Sequence, residues 1–577
     1  METSEIANLR DLIVISNKLM VEDCGLLPPF SKIDHIPIYV SINIERPQTI
    51  RKTIQFWDYR QTDTDKLTRL LMETDWDRLL DCDIDTATDN LTEALLTAAK
   101  ASIPVKTFTT KFNNKPWFNL ELKRQIRKRD RLFKIAKRQD TPEDWQRWRT
   151  QRNLTTETNQ RLKDMHIQSE VNKLFEQKQN PRVYHKILKG LIGRQDAHIM
   201  PPLIDQDGTP ITNDYDKATI LNDHFAKQTQ LDTHDLNISY INPPSPNIPQ
   251  LAEVQVTELE VLKILNSLDA NKASGPDKSP NKLLKMCALL LANPLCKLFN
   301  KSLQVGNFPI SWKKACVTPI FKRKGSSSDP INYRPISLLP NISKILEKLV
   351  FNKIYEHLTE NNLLTEKQSG YRPNHSTYVQ LVYLSHQLYS ALNENKDFTA
   401  IFLDISKYFD KIWHEGLIAK CEIQYKISGN LLTWLKSYLR NRSQVVRVGS
   451  SVSASQEIRA GCPQGSVLGP LLALMYLNDL SDRTENEALF YADDTSLYLS
   501  HPQHSQQHEQ SLQRDLDLIR QYGLDWAITF NADKTVRQTF TNRQENDKLT
   551  LYFDGKLLPP VTQHKHLGLN LSSGSNG

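Results

Sequence analysis

Residues 488–499, ALFYADDTSLYL, decide the fold, because two adjacent acids stand between two apolar segments. Each segment has the length and composition of a β-strand, which predicts a hairpin with Asp493 and Asp494 at its tip. A plain hairpin turn favours Asn-Gly or Asp-Gly, and adjacent carboxylates repel each other unless a cation lies between them. The segment therefore indicates a metal-binding site at the tip of a hairpin.

A second acid ends a strand earlier in the chain. Residues 398–410, FTAIFLDISKYFD, begin with an apolar strand that ends at Asp404. Alone, this pattern favours a strand that simply stops at a turn-forming Asp. Combined with the hairpin, it predicts a site for two Mg²⁺ ions, with Mn²⁺ as a substitute, because such ions prefer carboxylate oxygens. Two ions ~3.5–4 Å apart would clamp the attacking and leaving oxygens of a phosphoryl transfer, which indicates nucleotidyl transfer to a primer 3′-hydroxyl.

The composition excludes several classes of protein. The 577 residues are 39% hydrophobic and 24% charged, which is typical of a globular protein of several domains. The seven Cys include no Cys-x-x-Cys pair, which argues against a disulfide framework and a zinc knuckle. The N-terminus lacks a signal-peptide layout, and no apolar run is long enough to span a membrane. We therefore expect a protein of the nucleus and cytoplasm.

Short motifs follow one another across the second half of the chain. They are 271–277 (NKASGPD), 318–324 (TPIFKRK), 332–337 (NYRPIS), 368–372 (QSGYR) with 375–377 (HST), 403–410 (LDISKYFD), 461–470 (GCPQGSVLGP), 491–494 (YADD), 531–535 (NADKT) and 566–569 (HLGL). In this order they resemble the reverse transcriptases of non-LTR, LINE-type retrotransposons, most of all the jockey-like elements. The resemblance covers residues 260–577. It implies an α+β fold, a right-hand polymerase whose fingers and palm include an antiparallel sheet that carries the acids.

The same resemblance implies roles for individual residues. Asp404, Asp493 and Asp494 would bind the metal ions and catalyse the reaction together with Lys534, a general acid near the pyrophosphate. Phe409 would be the steric gate that excludes a ribose 2′-hydroxyl. The remaining nucleotide-binding residues would be Lys322, Arg323, Arg334, Gln464 and Gly465. For Lys322 and Arg323, a solvated turn is the alternative.

Two features depart from the family pattern. Family members carry a small residue, commonly Ala, where this chain has Tyr408 beside the triphosphate. A Tyr there either points into the palm or intrudes on the nucleotide, and intrusion would impair catalysis. The chain also stops at Gly577, soon after the last motif, so we expect fingers and palm without a thumb.

The N-terminal stretch resembles the end of the family's apurinic-type endonuclease. Residues 26–29 (LLPP) and 33–37 (IDHIP) match its closing motif, in which Asp34 and His35 would help to activate a water molecule. The family usually has Ser where Ile33 stands, and the earlier catalytic parts of that domain are not in this sequence. Residues 1–45 are therefore expected to be a remnant of an endonuclease/exonuclease/phosphatase-type domain.

A basic helical connector is predicted between the endonuclease-like segment and the reverse transcriptase. Residues 115–139 hold ten basic and two acidic side chains along a narrow apolar stripe. They are either a solvated helix face or a nucleic-acid contact surface. Four Pro among residues 242–250 indicate a boundary. We therefore assign residues 46–250 to a connector and linker, and 251–577 to the reverse transcriptase, with a core of about 305–575.

Together these observations predict an RNA-directed DNA polymerase that uses an RNA template, a DNA primer and dNTPs. We expect neither a membrane nor a stable protein partner. A second hypothesis is an RNA-binding remnant without turnover, to which Tyr408 and the missing thumb would point. A third is a group II intron maturase, against which the Asp34-His35 motif argues.

Overall fold

The computed structural model describes residues 21–26, 38–42, 53–109, 115–176, 181–191, 200–205, 207–233, 236, 238, 241, 243–502, 506–543 and 549–573. These residues fall into two compact units. Unit 1 lies within Met1–Arg60 and Pro104–Asp196, and unit 2 within Gln61–Ile103 and Ala197–Gly577. Among the described residues, no helix is both long enough and apolar enough to cross a membrane.

The strands and helices are numbered along the chain. The strands are β1 (Val21–Leu26), β2 (Ile38–Ile42), β3 (Thr53–Trp57), β4 (Val105–Thr109), β5 (Leu203–Ile204), β6 (Pro210–Ile211), β7 (Lys314–Phe321), β8 (Tyr333–Leu338), β9 (Asp397–Asp404), β10 (Arg442–Val448), β11 (Ser451–Val452), β12 (Gln456–Ile458), β13 (Glu487–Tyr491), β14 (Asp494–His501), β15 (Val536–Phe540), β16 (Tyr552–Phe553), β17 (Lys556–Leu557), β18 (Gln563–His566) and β19 (Leu569–Ser572). The helices are α1 (Thr64–Met72), α2 (Trp76–Leu80), α3 (Ile84–Ser102), α4 (Leu120–Gln139), α5 (Pro142–Glu176), α6 (Pro181–Leu191), α7 (Asp214–Gln228), α8 (Glu258–Ser267), α9 (Asn281–Met286), α10 (Ala288–Val305), α11 (Asn341–Glu360), α12 (Thr377–Asn393), α13 (His414–Ile423), α14 (Gly429–Leu439), α15 (Gly469–Leu477) and α16 (Gln506–Asp525).

Unit 1 combines two short antiparallel strand pairs with a long helical hairpin. β1 pairs with β2 and β3 with β4, both antiparallel. α4 and α5 pack along each other, and the carboxamides of Gln151 and Gln125 bond across the pair at 2.6 Å. α5 begins as the sequence predicts, because the Thr141 hydroxyl accepts a hydrogen bond from the Asp144 N–H at 3.2 Å.

In unit 2, a four-stranded antiparallel sheet has the order β13-β14-β9-β15. Its central strand β9 is buried from Phe398 to Leu403, since α12 packs on one face and supplies Leu384 and Ala391 to the core. A strand buried on both faces reads as the continuous apolar run seen in this sequence. The sheet holds the ends of β9 and β14 in a fixed position.

A five-stranded sheet forms a second layer of unit 2. Its path is β11-β10-β7-β8, with β12 paired to β10; β10 runs parallel to β7, and β7 antiparallel to β8. α7 packs against β10 and contributes Leu221 and Phe225 to a core with Val317 and Val446. The mixture of helices with largely antiparallel sheets confirms the predicted α+β class.

Lys420 ties three helical segments of unit 2 together. Its ammonium is completely buried and donates hydrogen bonds to Asp479 at 2.6 Å, to the Tyr522 hydroxyl at 2.9 Å and to the Tyr476 carbonyl at 2.7 Å. The same group lies 3.7 Å from the centre of the Trp526 ring. Because a buried charge is tolerated only when it is paired and hydrogen-bonded, this network fixes α13 against α15 and α16.

The predicted domain boundaries at 45 and 250 stay predictions. Helices α1–α3, which the sequence places in the connector, pack in unit 2, where α3 contacts α10. The Lys301 ammonium of α10 also donates to the Leu80 carbonyl at 2.6 Å. β5 and β6 pair as a two-stranded antiparallel sheet.

Candidate active site

Three predicted acids meet at one edge of the four-stranded sheet. Asp404 is the last residue of β9 and Asp494 the first of β14, and the antiparallel register places them directly opposite each other. Such opposite residues have Cα atoms about 4.5–5.5 Å apart. Asp493 lies in the two-residue turn between β13 and β14, after Ala492, whose φ of 59° is left-handed. Strand pairing therefore gathers carboxylates that lie 90 residues apart in the sequence.

The electrostatics of this edge favour a cation. Burial, followed by the negative charges of Asp493 and Asp404, raises the pKa of Asp494 to about 6. The pKa of Asp493 is also raised, first by burial and then by Asp404, although Arg334 and Lys534 oppose the shift. Carboxylates that repel each other in this way form an oxygen donor set that a hard divalent cation would relieve. The donor set thus fits the metal that the sequence predicts.

Lys534 currently binds one of these carboxylates. Its ammonium contacts Asp404 Oδ2 at 2.9 Å, and its loop is held because the Asn531 N–H donates to the Asp404 carbonyl at 2.8 Å. Among the described residues, no three His, Cys, Asp or Glu side chains are already arranged as a closed metal site. The Lys534 side chain is 63% exposed, and exposed ion pairs contribute at most about 1 kcal/mol, so this contact can exchange partners.

Cations line the facing hairpin of β7 and β8. Lys322 follows β7 and Arg334 lies on β8, and the pKa of Lys322 is lowered by burial and by the positive charges of Arg334 and Lys534. A cation whose pKa is lowered by neighbouring cations marks a place where an anion would be stabilised. Arg323 lies in the turn with a φ of 58°, exposed, and no contact joins it to this group among the described residues.

Gln464 and Gly465 lie in a loop that contacts the five-stranded sheet. Gln464 Nε2 donates to Asp410 Oδ1 at 2.8 Å, and the Ser337 N–H donates to the Gln464 carbonyl at 2.8 Å. Gly465 has a φ of 130°, and a Cβ there would lie 2.5 Å from the Ser337 carbonyl oxygen. Only glycine allows this approach. Phe409, Asp410 and Gln464 share the wall of a cavity of about 40 Å³.

The adjacent residues Tyr408 and Phe409 point in different directions: Tyr408 is buried in the interior, and Phe409 lies at the candidate site. Tyr408 is 4% exposed, and its hydroxyl donates to the Ala473 carbonyl. Of the two alternatives for Tyr408, the structure selects the one in which the ring points into the interior. Phe409 is partly exposed and packs edge-on against Tyr371, with ring centres 5.6 Å apart.

Glu347 is a residue that the sequence did not single out. It is completely buried on α11, and its Oε2 accepts hydrogen bonds from the N–H groups of Val467 at 2.7 Å and Leu468 at 3.1 Å. These donors lie between Gly465 and the start of α15. A lone Glu in a helix ordinarily reads as a solvated side chain, so no local signal reveals it.

Gln368 and Tyr371 also lie beside the acids. Gln368 Oε1 accepts hydrogen bonds from the N–H groups of Ala492 at 3.0 Å and Gly370 at 2.7 Å, which braces the turn that carries Asp493. Burial raises the pKa of Tyr371 to about 12, with Asp493 the next cause. Both residues belong to the 368–372 motif, which marks them as part of the domain but does not by itself indicate their roles. Asp34 and His35 lie outside the described residues.

Comparisons with known proteins agree on one family. Residues 321–571 match the family described as "Reverse transcriptase (RNA-dependent DNA polymerase)". The chain is 33% identical over 321 residues to the "Probable RNA-directed DNA polymerase from transposon BS" of Drosophila melanogaster, which covers 54% of this chain and 35% of the relative. It is also 33% identical over 325 residues to the "RNA-directed DNA polymerase from mobile element jockey" of Drosophila melanogaster. That match covers 55% of this chain and 35% of the relative.

A third relative extends the match. The "Probable RNA-directed DNA polymerase from transposon X-element" of Drosophila melanogaster is 29% identical over 384 residues, covering 64% of this chain and 41% of the relative. The chain thus spans 35–41% of the length of these three curated relatives. The matched family segment includes every predicted site residue from Lys322 to Lys534.

Proposed function

Because residues 321–571 form a reverse transcriptase domain of the kind found in jockey-like non-LTR retrotransposons, we propose that this chain is an RNA-directed DNA polymerase. It extends the 3′-hydroxyl of a DNA primer on an RNA template with dNTPs. The observation that carries the proposal is the strand register that sets Asp494 opposite Asp404, with Asp493 in the adjoining turn.

The acids supply the metal site. Asp404, Asp493 and Asp494 would hold two divalent ions, Mg²⁺ or in its place Mn²⁺. When bound, such ions activate the attacking hydroxyl and stabilise charge on the leaving pyrophosphate. Reverse transcriptases are generally dependent on divalent metals. Burial, and then repulsion by neighbouring carboxylates, raises the pKa of Asp493 and Asp494, which supports this assignment.

Lysine and arginine side chains bind the triphosphate. Lys322 and Arg334 neutralise it from the β7–β8 hairpin, and Arg323 reaches it from the turn between these strands. Lys534 would be released from Asp404 if that carboxylate held a metal ion, and its ammonium would then be free to donate a proton toward the pyrophosphate. The pKa shift of Lys322, caused by burial and then by Arg334 and Lys534, supports a shared anion site.

The remaining site residues select the nucleotide. Phe409 excludes a ribose 2′-hydroxyl by filling its space. Gln464 and Gly465 contact the incoming nucleotide or the template from the opposite loop. In this arrangement the four-stranded sheet is the palm and the five-stranded sheet belongs to the fingers. Packing of Phe409 on Tyr371 supports a ring held in one position.

The N-terminal residues carry a separate proposal. Asp34 and His35 belong to the closing motif of an apurinic-type endonuclease segment that precedes the polymerase. A protein of this kind works in the nucleus and the cytoplasm, and polymerisation requires no stable protein partner.

Primer extension tests the polymerase proposal directly. The full chain should add dNTPs to a DNA primer annealed to an RNA template in the presence of Mg²⁺. Asp493→Asn should lower the rate of single-nucleotide addition by about 100-fold or more, because it removes a charge that holds the transition-state cations. Asp554→Asn is the matched control, since Asp554 is an exposed carboxylate already paired with Arg520 at 3.0 Å.

Equal extension by the Asp493→Asn variant and the parent would refute the site. A parent that binds RNA but adds no nucleotide in Mg²⁺ or Mn²⁺ would instead support the RNA-binding remnant.

A further inference from the structure

One face of α4 in unit 1 is a continuous cationic surface. At about 100° per residue, six cations fall on the side of the helix opposite the buried Leu122 and Ala136. All six are exposed: Lys123, Arg124, Arg127, Arg131, Lys134 and Arg138. We call these six residues the basic face. Both acids of α4, Glu121 and Asp130, fall outside its arc.

The basic face is not neutralised by its surroundings. None of its six side chains has a carboxylate partner among the described residues, whereas the acids of α4 are engaged elsewhere. Asp130 pairs with Arg129 at 2.6 Å, and Glu121 pairs with Arg161 of α5 at 2.5 Å. Exposed helix cations commonly find acids three or four residues away. In α4 the two acids pair with cations outside the basic face, so the six side chains of the basic face keep their positive charge.

The spacing of the basic face suits a phosphodiester backbone. From Lys123 to Arg138 the helix rises about 22 Å, at about 1.5 Å per residue. One strand of a nucleic acid presents about six phosphates over that length, at about 3.4 Å each. Four of the six side chains are Arg, whose planar fork binds phosphate oxygens in pairs. The number of cations, the length of the helix segment and the chemistry of its side chains therefore all suit a phosphodiester backbone.

A membrane surface fits this helix less well. Helices that lie on anionic lipid bury an apolar face in the bilayer opposite their charged face. The apolar side of α4 is mostly covered, because Leu122 and Ala136 are buried where α5 packs along the helix, and the Phe133 ring, 41% exposed, lies against Trp145 and Trp148 of α5. Charge is therefore what this helix chiefly offers to a ligand, and charge is the basis of nonspecific nucleic-acid binding.

We propose that the basic face of α4 is a nucleic-acid binding surface that holds a phosphodiester backbone without regard to sequence. It adds a second contact to nucleic acid, carried by unit 1, to the polymerase site proposed for unit 2. Its side chains take no part in nucleotide addition.

Filter binding with the full chain tests this surface. The test variant is Arg127→Gln/Arg131→Gln/Lys134→Gln. The matched control removes three cations of unit 1 that already have carboxylate partners: Arg129→Gln/Arg147→Gln/Lys173→Gln. A 40-nucleotide single-stranded RNA and a duplex DNA of equal length serve as separate probes between about 50 and 200 mM salt.

The test variant should bind the RNA at least about 10-fold more weakly than the control. Its slope of log affinity against log salt should be shallower by about 2 on the RNA and by slightly more on duplex DNA, since each lost phosphate contact removes about 0.7 or 0.9. A loss on one probe only would identify that nucleic acid as the ligand. Melting temperatures of both variants should match the parent, because all six changes are at solvated side chains.

Equal affinities and slopes for test and control variants would overturn the proposal. So would a test variant that loses binding to phosphatidylserine vesicles while keeping its affinity for both nucleic acids. Addition of one nucleotide to a short primer–template should be unchanged in the test variant. Since binding is measured without turnover, failure of the polymerase proposal would leave this result interpretable.

Discussion

At the scale of single residues, the site is defined by uncompensated charge. Asp493 and Asp494 face Asp404 with only Lys534 bound at one oxygen, and their pKa values rise as a result of burial and mutual repulsion. Groups arranged for function are often unfavourable for stability when their ligand is absent. The same reasoning predicts how nearby side chains respond to substitution.

Phe409→Val should relax discrimination between dNTPs and rNTPs. The smaller side chain opens the space that the ring fills, and one pocket contact of this size changes selectivity by about 10-fold or more. The measurement is the ratio of kcat/KM for dATP and ATP opposite the same RNA template base. Tyr371→Phe is the control, because it keeps the ring that packs on Phe409 and removes only a hydroxyl. An unchanged ratio in Phe409→Val would assign the gate to another residue.

Substitution of Tyr408 should affect stability rather than nucleotide access. Tyr408→Ala should lower the free energy of unfolding by about 3–5 kcal/mol, since it removes a buried ring. Tyr408→Phe should lower it by about 1 kcal/mol, because it removes only the hydrogen bond to Ala473. Urea unfolding of the three proteins measures both values. A Tyr408→Ala variant as stable as the parent, with faster nucleotide addition, would mean that the side chain reaches the nucleotide after all.

At the scale of secondary-structure elements, α11 positions the loop that begins α15. The Glu347 carboxylate accepts from the first free N–H groups of that segment, two residues beyond Gly465. A carboxylate at the start of a helix also complements its dipole. We therefore regard Glu347 as a positioning residue for Gln464 and Gly465.

Glu347→Ala should raise the KM for dNTP more than it lowers kcat. It leaves two buried N–H groups unsatisfied, at a cost of about 1–3 kcal/mol each, and frees the loop to move. Glu347→Gln should restore most of the lost affinity, because it keeps an acceptor oxygen in the same place. Tyr438→Phe is the comparison variant, since it removes the longer contact to Glu347 at 3.4 Å and a contact with Ser466 but keeps the bonds from Val467 and Leu468 to Glu347. Steady-state kinetics with melting curves separates positioning from general instability. An Ala variant that loses kcat alone, without rescue by Gln, would contradict the assignment.

At the scale of the whole molecule, the metal site should contribute to thermal stability. Mg²⁺ at 10 to 100 times its dissociation constant should stabilise the parent by about 1.4–2.7 kcal/mol, because it binds only the folded state. Asp494→Asn should melt at a higher temperature than the parent in EDTA, since it removes one of three repelling charges, and should respond less to Mg²⁺. Differential scanning fluorimetry measures both, with KCl of equal ionic strength as the control for screening. Equal Mg²⁺ responses in the two proteins would place the ion elsewhere.

The two compact units also belong to this scale. The proposed polymerase site is built from residues of unit 2, whereas the basic face of α4 lies in unit 1. The division places α1–α3 with the core of unit 2, although their sequence is continuous with the basic connector. Composition changes gradually along the chain, while packing assigns each helix to one core.

The sequence by itself determined the local structures and the family that residues 321–571 match. The apolar runs before Asp404 and around Asp493-Asp494 predict β9 and the β13–β14 hairpin, because strands and turns follow short-range patterns. The helix start at Thr141-Pro142 was predictable for the same reason. The order of the motifs indicated the reverse transcriptase domain that residues 321–571 match.

Only the tertiary structure decided which side chains meet. Asp404 faces Asp494 through a strand register, Lys534 reaches Asp404 across 130 residues of sequence, and Glu347 bonds the loop before α15 across 120. Tyr408 turned inward because its hydroxyl finds a buried carbonyl on α15. A local sequence pattern cannot predict these contacts, because each depends on whether a group distant in sequence can satisfy a buried polar atom. Those partners come together only when the helices and strands pack.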